Sequence, residues 1–480
     1  MTDIALAGRS IRVLGLTIAL GGLLVVVDTT VTAVALPAIV AGLHTSLPAA
    51  QWVTIGYLLG LVSVIPLAGW AVERFGARRV YLTAMIVFTV LSLLAGLAWD
   101  VVSLAFFRFV QGLGGGLLTP VGTAIGLRAT PREARGRLMS LLALPLAIGP
   151  VFGPPLAGWL TDAGSWRWIF LINVPIGLLA LAVCRRVLPK DQPLAVVRSI
   201  DLPGLALLSG GAVAVVLGGT LLERSLGWLG LLAAGIGMLA VFVRRARRVP
   251  EPLVDLRMLE HRPFRAGLGV MACFAAAYFG TMSVLPLFVQ GVGGDGVARA
   301  GLLVLPQAVV VAVFAQAGTR LIDRIPPRRI VLTGTTLGTA GAIALGTAMA
   351  TDAGYPWLVA AAMVLAAGSG ATLLPAMTVA TRDLDHDQTP RGITLLTLAN
   401  QLASATGGAA VAVSLSLLVS ARAPEAGGVG GMLALEPAAR EALRPELAAA
   451  VGAAYVIPAL LLAASTLIAF RALRPVARRG

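Results

Sequence analysis

The chain has 480 residues, of which 58% are hydrophobic and only 12% are charged, and its mean hydropathy is +0.90. A soluble protein of this length needs far more polar surface to cover its core, so the composition excludes a soluble globular fold. The formal net charge of +15 does not indicate nucleic-acid binding, because the basic residues lie in short segments between long apolar runs.

Cutting the chain at clusters of charged and turn-forming residues predicts an all-α, polytopic membrane protein with fourteen spans. A helix needs about 20 residues to cross the hydrocarbon core of a bilayer. The segments are too long and too uniformly apolar for barrel strands, in which apolar and polar residues alternate. The predicted spans are 13–39, 51–72, 80–98, 103–126, 138–161, 167–184, 203–222, 226–243, 266–289, 300–319, 330–350, 356–379, 393–419 and 449–470.

The distribution of basic residues predicts the orientation of these spans. If the N-terminus is cytoplasmic, the inner loops carry most of the basic residues, as the positive-inside rule requires. The outer loops then hold only Arg224, Arg299, Arg422, Arg440 and Arg444. Every Trp except Trp70 falls near the outer end of a helix, where an interfacial aromatic belt belongs. Both termini are therefore predicted to be cytoplasmic.

The first predicted helix contains a carboxylate, Asp28, within the apolar run 23–37. A charged side chain at mid-bilayer costs about 2.5–3.5 kcal/mol, and it avoids that cost by binding a proton or by facing a partner. Arg108, in the fourth predicted helix, differs in depth from Asp28 by about 5–10 Å at the rise of an α-helix. The long side chain of Arg108 nearly closes that gap.

Asp28 and Arg108 together predict a site that titrates. Burial favours the neutral form of a carboxylate, whereas a nearby arginine favours the charged form. A carboxylate held between these two effects takes up and releases a proton. We predict that Asp28 is a protonation or cation-sensing site and that Arg108 modulates it. The alternatives are a structural pair, or hydrogen bonds to Asp28 from Thr29, Thr30 or Thr32.

Two predicted inner loops share a pattern of charges. Residues 69–79, GWAVERFGARR, follow the second helix, and residues 318–329, GTRLIDRIPPRR, follow the tenth. Four positions recur at a spacing of 250 residues, so that Glu73, Arg74, Arg78 and Arg79 match Asp323, Arg324, Arg328 and Arg329. The recurrence indicates duplicated halves. The loops predict a latch in which the acid pairs with arginines and with a neighbouring helix end; the alternative is an ordinary basic inner loop.

The fifth predicted helix is rich in glycine and proline. Its residues of these types are Gly149, Pro150, Gly153, Pro154, Pro155 and Gly158. Glycine lets helices approach closely and proline bends them, so we predict a close-packed, bent helix that pivots. The alternative is that both residues are simply common in membrane helices.

Polar and aromatic side chains within or next to the spans are candidates for lining a substrate cavity, with helix packing as the alternative for each. These candidates are Tyr57, Tyr278, Phe279, Gln290, Phe314, Asn400 and Gln401. Other polar residues within spans are Gln111 and Asn173. The second half carries no membrane acid comparable to Asp28, which makes a doubly charged substrate less expected.

The chain resembles the major facilitator superfamily, and within it the fourteen-helix drug:proton antiporter family. VVVDTTVTAVALP (25–37) is similar to that family's first-helix motif, and GWAVERFGARR (69–79) to the superfamily's loop motif. RFVQGLGGG (108–116) resembles the helix 4 motif. GPVFGPPLAGW (149–159) resembles the helix 5 motif of antiporters, and SWRWIFLINVPIG (165–177) resembles the signature that enters helix 6.

In the second half, LPLFVQGVGGDGVARAGLLVLP (285–306) is similar to the helix 9–10 region of the family, and NQLASATGG (400–408) is a weaker match. The chain departs from the family pattern at Val27 (usually Leu), Ala33 (Asn), Glu73 (Asp) and Asn400 (Arg). The resemblance assigns gating or motif roles to Gly69, Glu73, Arg74, Gly76, Arg78, Arg79, Gln111, Gly112, Gly149, Pro150, Gly153, Pro154, Asp323, Arg324 and Arg328.

The resemblance implies the major facilitator fold: two six-helix bundles, 1–190 and 249–480, and an inserted helix pair in 191–248. It also implies a monomeric, proton-driven exporter of hydrophobic, cationic drugs in the bacterial cytoplasmic membrane, whose partners are lipid, protons and a small lipophilic substrate. A dedicated exporter of one metabolite or self-made antibiotic is the first alternative. A membrane enzyme or receptor is the second, and the lack of a catalytic cluster or appended soluble domain argues against it. No cofactor, metal or nucleic-acid partner is expected.

Overall fold

The computed structural model describes residues 8–472 apart from residues 132–133, 143, 164, 191–199, 222–225, 250–251, 255, 322–324, 383, 385–387 and 434. The described residues form twenty-one α-helices, with short 3-10 turns and no β-strand among them. In chain order the helices are α1 (Gly8–Gly42), α2 (Leu47–Val64), α3 (Ala68–Phe75), α4 (Ala77–Gly96), α5 (Val101–Ala129), α6 (Arg135–Leu142), α7 (Leu144–Ala163), α8 (Trp168–Leu171), α9 (Asn173–Val187), α10 (Leu202–Leu221), α11 (Leu229–Ala246), α12 (Arg262–Thr281), α13 (Val284–Gly291), α14 (Val297–Leu321), α15 (Pro327–Ala350), α16 (Tyr355–Thr381), α17 (Thr389–Arg422), α18 (Gly428–Leu433), α19 (Pro437–Ala442), α20 (Arg444–Ala453) and α21 (Val456–Ala472).

Thirteen segments of the described chain are long and apolar enough to cross a membrane. They coincide with thirteen of the predicted spans. The fifth predicted span, 138–161, falls on α6 and α7, which lie on either side of residue 143, outside the described residues. The prediction of an all-helical, multi-pass membrane protein is confirmed, and the total of fourteen spans stays a prediction.

Local sequence signals place several helix ends. Asp100 caps α5: its Oδ1 accepts a hydrogen bond from the Ser103 backbone N–H at 2.7 Å, and its own N–H donates to Ser103 Oγ at 3.2 Å. The hydrogen bond from the Ser103 backbone lowers the pKa of the Asp100 carboxyl. Gly76 turns the chain between α3 and α4 with φ +89°, a conformation that favours glycine.

The first compact unit contains Met1–Leu217, Leu231–Met258 and Thr381–Leu398. Within it α1 packs on α7, α2 on α5, and α4 on both α5 and α9. Glycine permits the close approach of α2 and α5: a Cβ on Gly112 of α5 would lie 2.2 Å from the Tyr57 carbonyl oxygen of α2. The inserted helices join this unit through Ser209 of α10, which donates to the Ser63 carbonyl at 2.7 Å.

The second compact unit contains Gly218–Gly230, Leu259–Ala380 and Ala399–Gly480. Here α12 packs on α21, and α15 packs on α20 and α21. The segment after α17 belongs to the same core, because Met432 of α18 is fully buried and occupies the space beside Gly291 of α13. The predicted boundaries of separate domains at residues 190 and 248 stay a prediction.

Arg78 and Arg328, which match each other in the predicted duplication, make the same kind of contact in their two units. Arg78 donates to the Arg185 carbonyl oxygen near the end of α9. Arg328 donates to the Phe470 carbonyl oxygen near the end of α21 at 3.1 Å. In each unit, therefore, an arginine at the start of one span meets the negative end of another span, which is α9 in the first unit and α21 in the second. Asp323 and Arg324 of the second copy lie outside the described residues.

Candidate functional site

The structure pairs Asp28 of α1 with Arg108 of α5. Arg108 Nη1 lies 2.5 Å from Asp28 Oδ2, and each residue is only 1% exposed. An ion pair buried this deeply is stable only when further hydrogen bonds satisfy the remaining polar atoms.

Two amide side chains supply those hydrogen bonds. Asn173 Nδ2 donates to Asp28 Oδ1 at 3.0 Å, and Gln111 Nε2 donates to the same oxygen at 3.2 Å. Gln111 Oε1 in turn accepts from Arg108 Nη1 at 2.9 Å. The carboxylate is thus held by donors from α5 and α9, which form one connected network within the first unit.

Asn173 is oriented by a further contact. Its Nδ2 lies 3.1 Å from Ser92 Oγ of α4, and Ser92 Oγ donates to the Phe170 carbonyl at 3.0 Å. Asn173 begins α9, one residue after the short helix α8. The network around Asp28 therefore involves α1, α4, α5 and α9.

Aromatic rings cover the guanidinium of Arg108. Its Cζ lies 4.2 Å from the centroid of the Tyr57 ring and 5.4 Å from that of Phe170. Arg108 Nε also donates to the Val53 carbonyl at 3.4 Å. Cation–π contacts stabilise a guanidinium more strongly when water is excluded, so this packing holds the charge of Arg108 in place.

Two buried polar atoms beside the ion pair have no hydrogen-bond partner among the described residues. They are the Tyr57 hydroxyl and Asn173 Oδ1. Both residues are 1% exposed. Since buried polar atoms are normally paired, the site holds an unused acceptor and an unused hydroxyl within its polar network.

The neighbouring threonines do not bind the Asp28 carboxylate in the described structure. Thr29 and Thr30 donate to backbone carbonyls of the preceding turn of α1. Thr32 Oγ1 donates to the Asp28 backbone carbonyl at 2.6 Å. The structure therefore brings Arg108, and not a threonine hydroxyl, to the carboxylate.

Two glycines of α7 lie on either side of the level of Asp28. A Cβ on Gly149 would lie 2.3 Å from Val26 Cγ1, and a Cβ on Gly153 would lie 2.3 Å from Thr30 Oγ1. Pro150 and Pro154 belong to α7, but their side chains are outside the described ones. The close approach of α7 to α1 links the glycine-rich helix directly to the Asp28 site.

The loop acid Glu73 has a partner outside its own loop. Arg391 of α17 binds it through two bonds, Nε to Oε1 and Nη2 to Oε2, each at 2.6 Å. The side chain of Arg391 is 9% exposed and that of Glu73 is 14% exposed. A Cβ on Gly69 would lie 3.3 Å from Arg391 Cγ. Arg78 donates to the Arg185 carbonyl oxygen, and the pairing of Glu73 with arginines across the turn stays a prediction.

The other loop arginines, Arg74 and Arg79, are exposed. Sequence reasoning did not single out Arg391. Its only signal was its position just before the thirteenth predicted span.

The predicted cavity residues have varied surroundings. Tyr57 packs on Arg108, and Tyr278 is buried beside Gln307 and Ser369. Phe279 and Phe314 are 38% and 37% exposed. The Gln290 amide donates to the Pro286 carbonyl at 3.2 Å, and Asn400 and Gln401 are half-buried. Their role in substrate binding stays a prediction.

No group of three or more His, Cys, Asp or Glu able to hold a metal ion occurs among the described residues.

The chain belongs to the major facilitator superfamily, because the profile of that family, described as Major Facilitator Superfamily, matches residues 18–408. The predicted membership is confirmed. The fold and this match define a multi-pass membrane transporter of that superfamily.

Its sequence is similar to proteins named for multidrug resistance. A multidrug resistance protein B homolog of Mycobacterium tuberculosis is 35% identical over 401 residues, 81% of this chain and 73% of that protein. The putative multidrug resistance protein MdtD of Klebsiella pneumoniae is 30% identical over 397 residues, 81% of this chain and 83% of that protein.

Solved structures show the same fold at low sequence identity. The human organic anion transporter MFSD10 matches with a TM-score of 0.67 at 15% identity, covering 95% of this chain and 100% of that one. The proton:xylose symporter XylE of E. coli matches with a TM-score of 0.61 at 18% identity, covering 94% and 95%. At these identities the likeness concerns the fold alone.

Proposed function

We propose that this protein is a proton-coupled exporter of hydrophobic, cationic drugs or toxic compounds in the cytoplasmic membrane of a bacterium. The observation that carries the proposal is the buried carboxylate of Asp28, placed inside α1 and paired with Arg108. The multidrug resistance names of the relatives support the class of cargo. A monomer with both termini in the cytoplasm is part of the proposal.

Asp28 alternates between a charged and a protonated form in this mechanism. The charged form is the one held by Arg108, Gln111 and Asn173. The protonated form needs an acceptor for its O–H. Asn173 Oδ1 is unpartnered, and rotation of the amide by half a turn presents it to Asp28. The network thus offers a hydrogen bond to either form.

Protonation is coupled to movement through contacts next to Asp28. Loss of its charge weakens the attraction of α1 for Arg108, and α1 touches α7 at Gly149 and Gly153. A change at Asp28 therefore reaches the helix that we propose to pivot. We also propose that the Glu73–Arg391 pair is the predicted latch, which must break when α3 and the start of α17 separate.

The alternative cargo is a single metabolite or self-made antibiotic. The described spans of the second unit contain one acidic residue, Glu446. It lies near the start of the last span. A pair of buried acids for a doubly charged drug is therefore absent from these described spans. This favours a singly charged or neutral cargo without deciding between one substrate and many.

Proton movement in inside-out vesicles, followed with a pH-sensitive dye while lipophilic cations are added, tests the proposal. We expect substrate-dependent proton efflux with the wild type and its loss in Asp28→Asn. Asp100→Asn, the same change at a carboxylate outside the spans, is the matched control and should retain efflux. Full efflux in Asp28→Asn would remove Asp28 from the coupling mechanism. No efflux with any cation would direct attention to neutral or anionic cargo.

A further inference from the structure

A groove of about 630 Å³ lies between α2–α3, α4 and α5 of the first unit. Its lining is largely apolar, with Val64, Val87 and Leu113 among its walls. At one end the side chain of Phe75 is 52% exposed. All three walls belong to segments that are long and apolar enough to cross a membrane, so we expect the groove to open toward the hydrocarbon region.

The polarity of the groove changes in order along α4. Arg79, Thr83 and Val87 all line it, and their spacing of four residues places them on one face of the helix. Arg79 and Thr83 are exposed. A cation, a hydroxyl and an aliphatic side chain therefore follow one another from the start of α4 toward the middle of the membrane.

We expect the end of the groove at Arg79 to lie at the level of a membrane interface. Arg79 is in the first turn of α4, beside the loop predicted to be cytoplasmic. Trp70 packs edge-on against Phe75 there, with ring centroids 5.6 Å apart. Tryptophan and arginine are typical of the headgroup level. The distance along α4 from Arg79 to Val87 is about 12 Å at the rise of an α-helix.

A phospholipid has the same order of chemistry: a phosphate, then ester oxygens, then an acyl chain. The positive charge of Arg79 favours a negatively charged ligand over a positively charged one. It attracts a phosphate, whereas it repels a lipophilic cation of the kind proposed as cargo. The groove therefore suits an anionic lipid better than it suits a route for cationic substrate.

We propose that this groove is a binding site for an anionic phospholipid. The phosphate binds Arg79, the ester region lies at Thr83, and one acyl chain lies along Val87 and Leu113. The site is separate from the Asp28 network, and its occupancy does not depend on transport. Lipid binding can therefore be tested without transport, and a failure of this proposal is distinguishable from a failure of the proposed export function.

Native mass spectrometry of the purified protein tests the site. The probes are phosphatidylglycerol and phosphatidylcholine with identical palmitoyl and oleoyl chains. We expect the wild type to retain phosphatidylglycerol in preference to phosphatidylcholine. Arg79→Gln should lower phosphatidylglycerol binding about fivefold, the effect of one basic residue near a membrane surface, and should remove the preference. Val87→Trp, which fills the groove, should reduce binding of both lipids.

Two matched variants serve as controls. Arg186→Gln removes an exposed arginine outside the groove, and Val90→Trp enlarges an exposed side chain of α4 that does not line it. Both should bind lipid as the wild type does. Equal phosphatidylglycerol binding by Arg79→Gln and Arg186→Gln would overturn the proposal. So would binding of tetraphenylphosphonium that Val87→Trp abolishes while phosphatidylglycerol binding stays unchanged, because the groove would then serve a cation.

Discussion

The Asp28 carboxyl group is buried inside α1, where three side chains from two other helices bind it. Arg108 and Gln111 come from α5, and Asn173 comes from α9. Their donors replace the water that a carboxylate loses on burial. The charges depend on each other: removal of one partner leaves the other buried and unpaired, which is more costly than removal of both.

This dependence predicts the behaviour of a double-variant series. Arg108→Gln should destabilise the protein by about 3–5 kcal/mol, the usual cost of leaving one charge of a buried pair without its partner. Adding Asp28→Asn should restore much of that stability, because the uncompensated charge is then gone. Thermal unfolding in detergent measures both variants. Additive losses in the double variant would contradict a direct interaction between the two side chains.

The residues of this site differ in how well the sequence revealed them. Asp28 and Arg108 stand out because a charge in an apolar run needs an explanation. Asn173 lies within the signature SWRWIFLINVPIG (165–177), but the sequence does not indicate its partner, since an amide in a membrane helix also fits ordinary packing between helices. Its contact with Asp28 joins positions 145 residues apart, and neither hydropathy nor local spacing reports such a contact.

Among the helices, α1 and α7 form the contact that matters most for the proposed mechanism. Gly153 allows it, because a Cβ there would meet Thr30 Oγ1 at 2.3 Å. Gly158, further along α7, has nothing within 4 Å of such a Cβ. The same substitution at these two glycines therefore separates close packing from a general effect of glycine on the helix.

We expect Gly153→Ala to slow transport and to destabilise the protein by about 1–3 kcal/mol, the usual cost of overpacking. Gly158→Ala should transport at the wild-type rate and should be at least as stable. Transport assays in vesicles and thermal unfolding in detergent measure the two effects. If Gly153→Ala transports as fast as Gly158→Ala, the close approach of α7 to α1 does not matter for the cycle.

Hydropathy located the spans well but did not reveal breaks within them. The second predicted span, 51–72, consists of α2, a 3-10 turn Ile65–Leu67 and α3. Pro66 lies in that turn, where its ring and missing N–H disturb the helical hydrogen bonds. The ninth predicted span, 266–289, likewise comprises α12 and α13. An apolar residue contributes to hydropathy equally whether the backbone around it is straight or broken, so these breaks needed the structure.

At the scale of the whole molecule, the charged loop residues alone predicted an internal repeat. Arg78 and Arg328 occupy matching positions; Arg78 donates to a backbone carbonyl near the end of α9, and Arg328 donates to one near the end of α21. The pairing of Glu73 with Arg391, by contrast, joins residues 318 positions apart. A duplicated loop motif predicts an acid with arginine partners, but it does not specify a distant partner on another helix.

Proton release from the purified protein tests the central claim most directly. A lipophilic cation is added to the protein in weakly buffered detergent, and the pH change and cation binding are measured together. If Asp28 exchanges a proton for the cargo, the wild type releases protons in proportion to bound cation, Asp28→Asn releases none, and Asp100→Asn behaves as the wild type. Cation binding with unchanged proton release in Asp28→Asn, or with no release in the wild type, would contradict the claim.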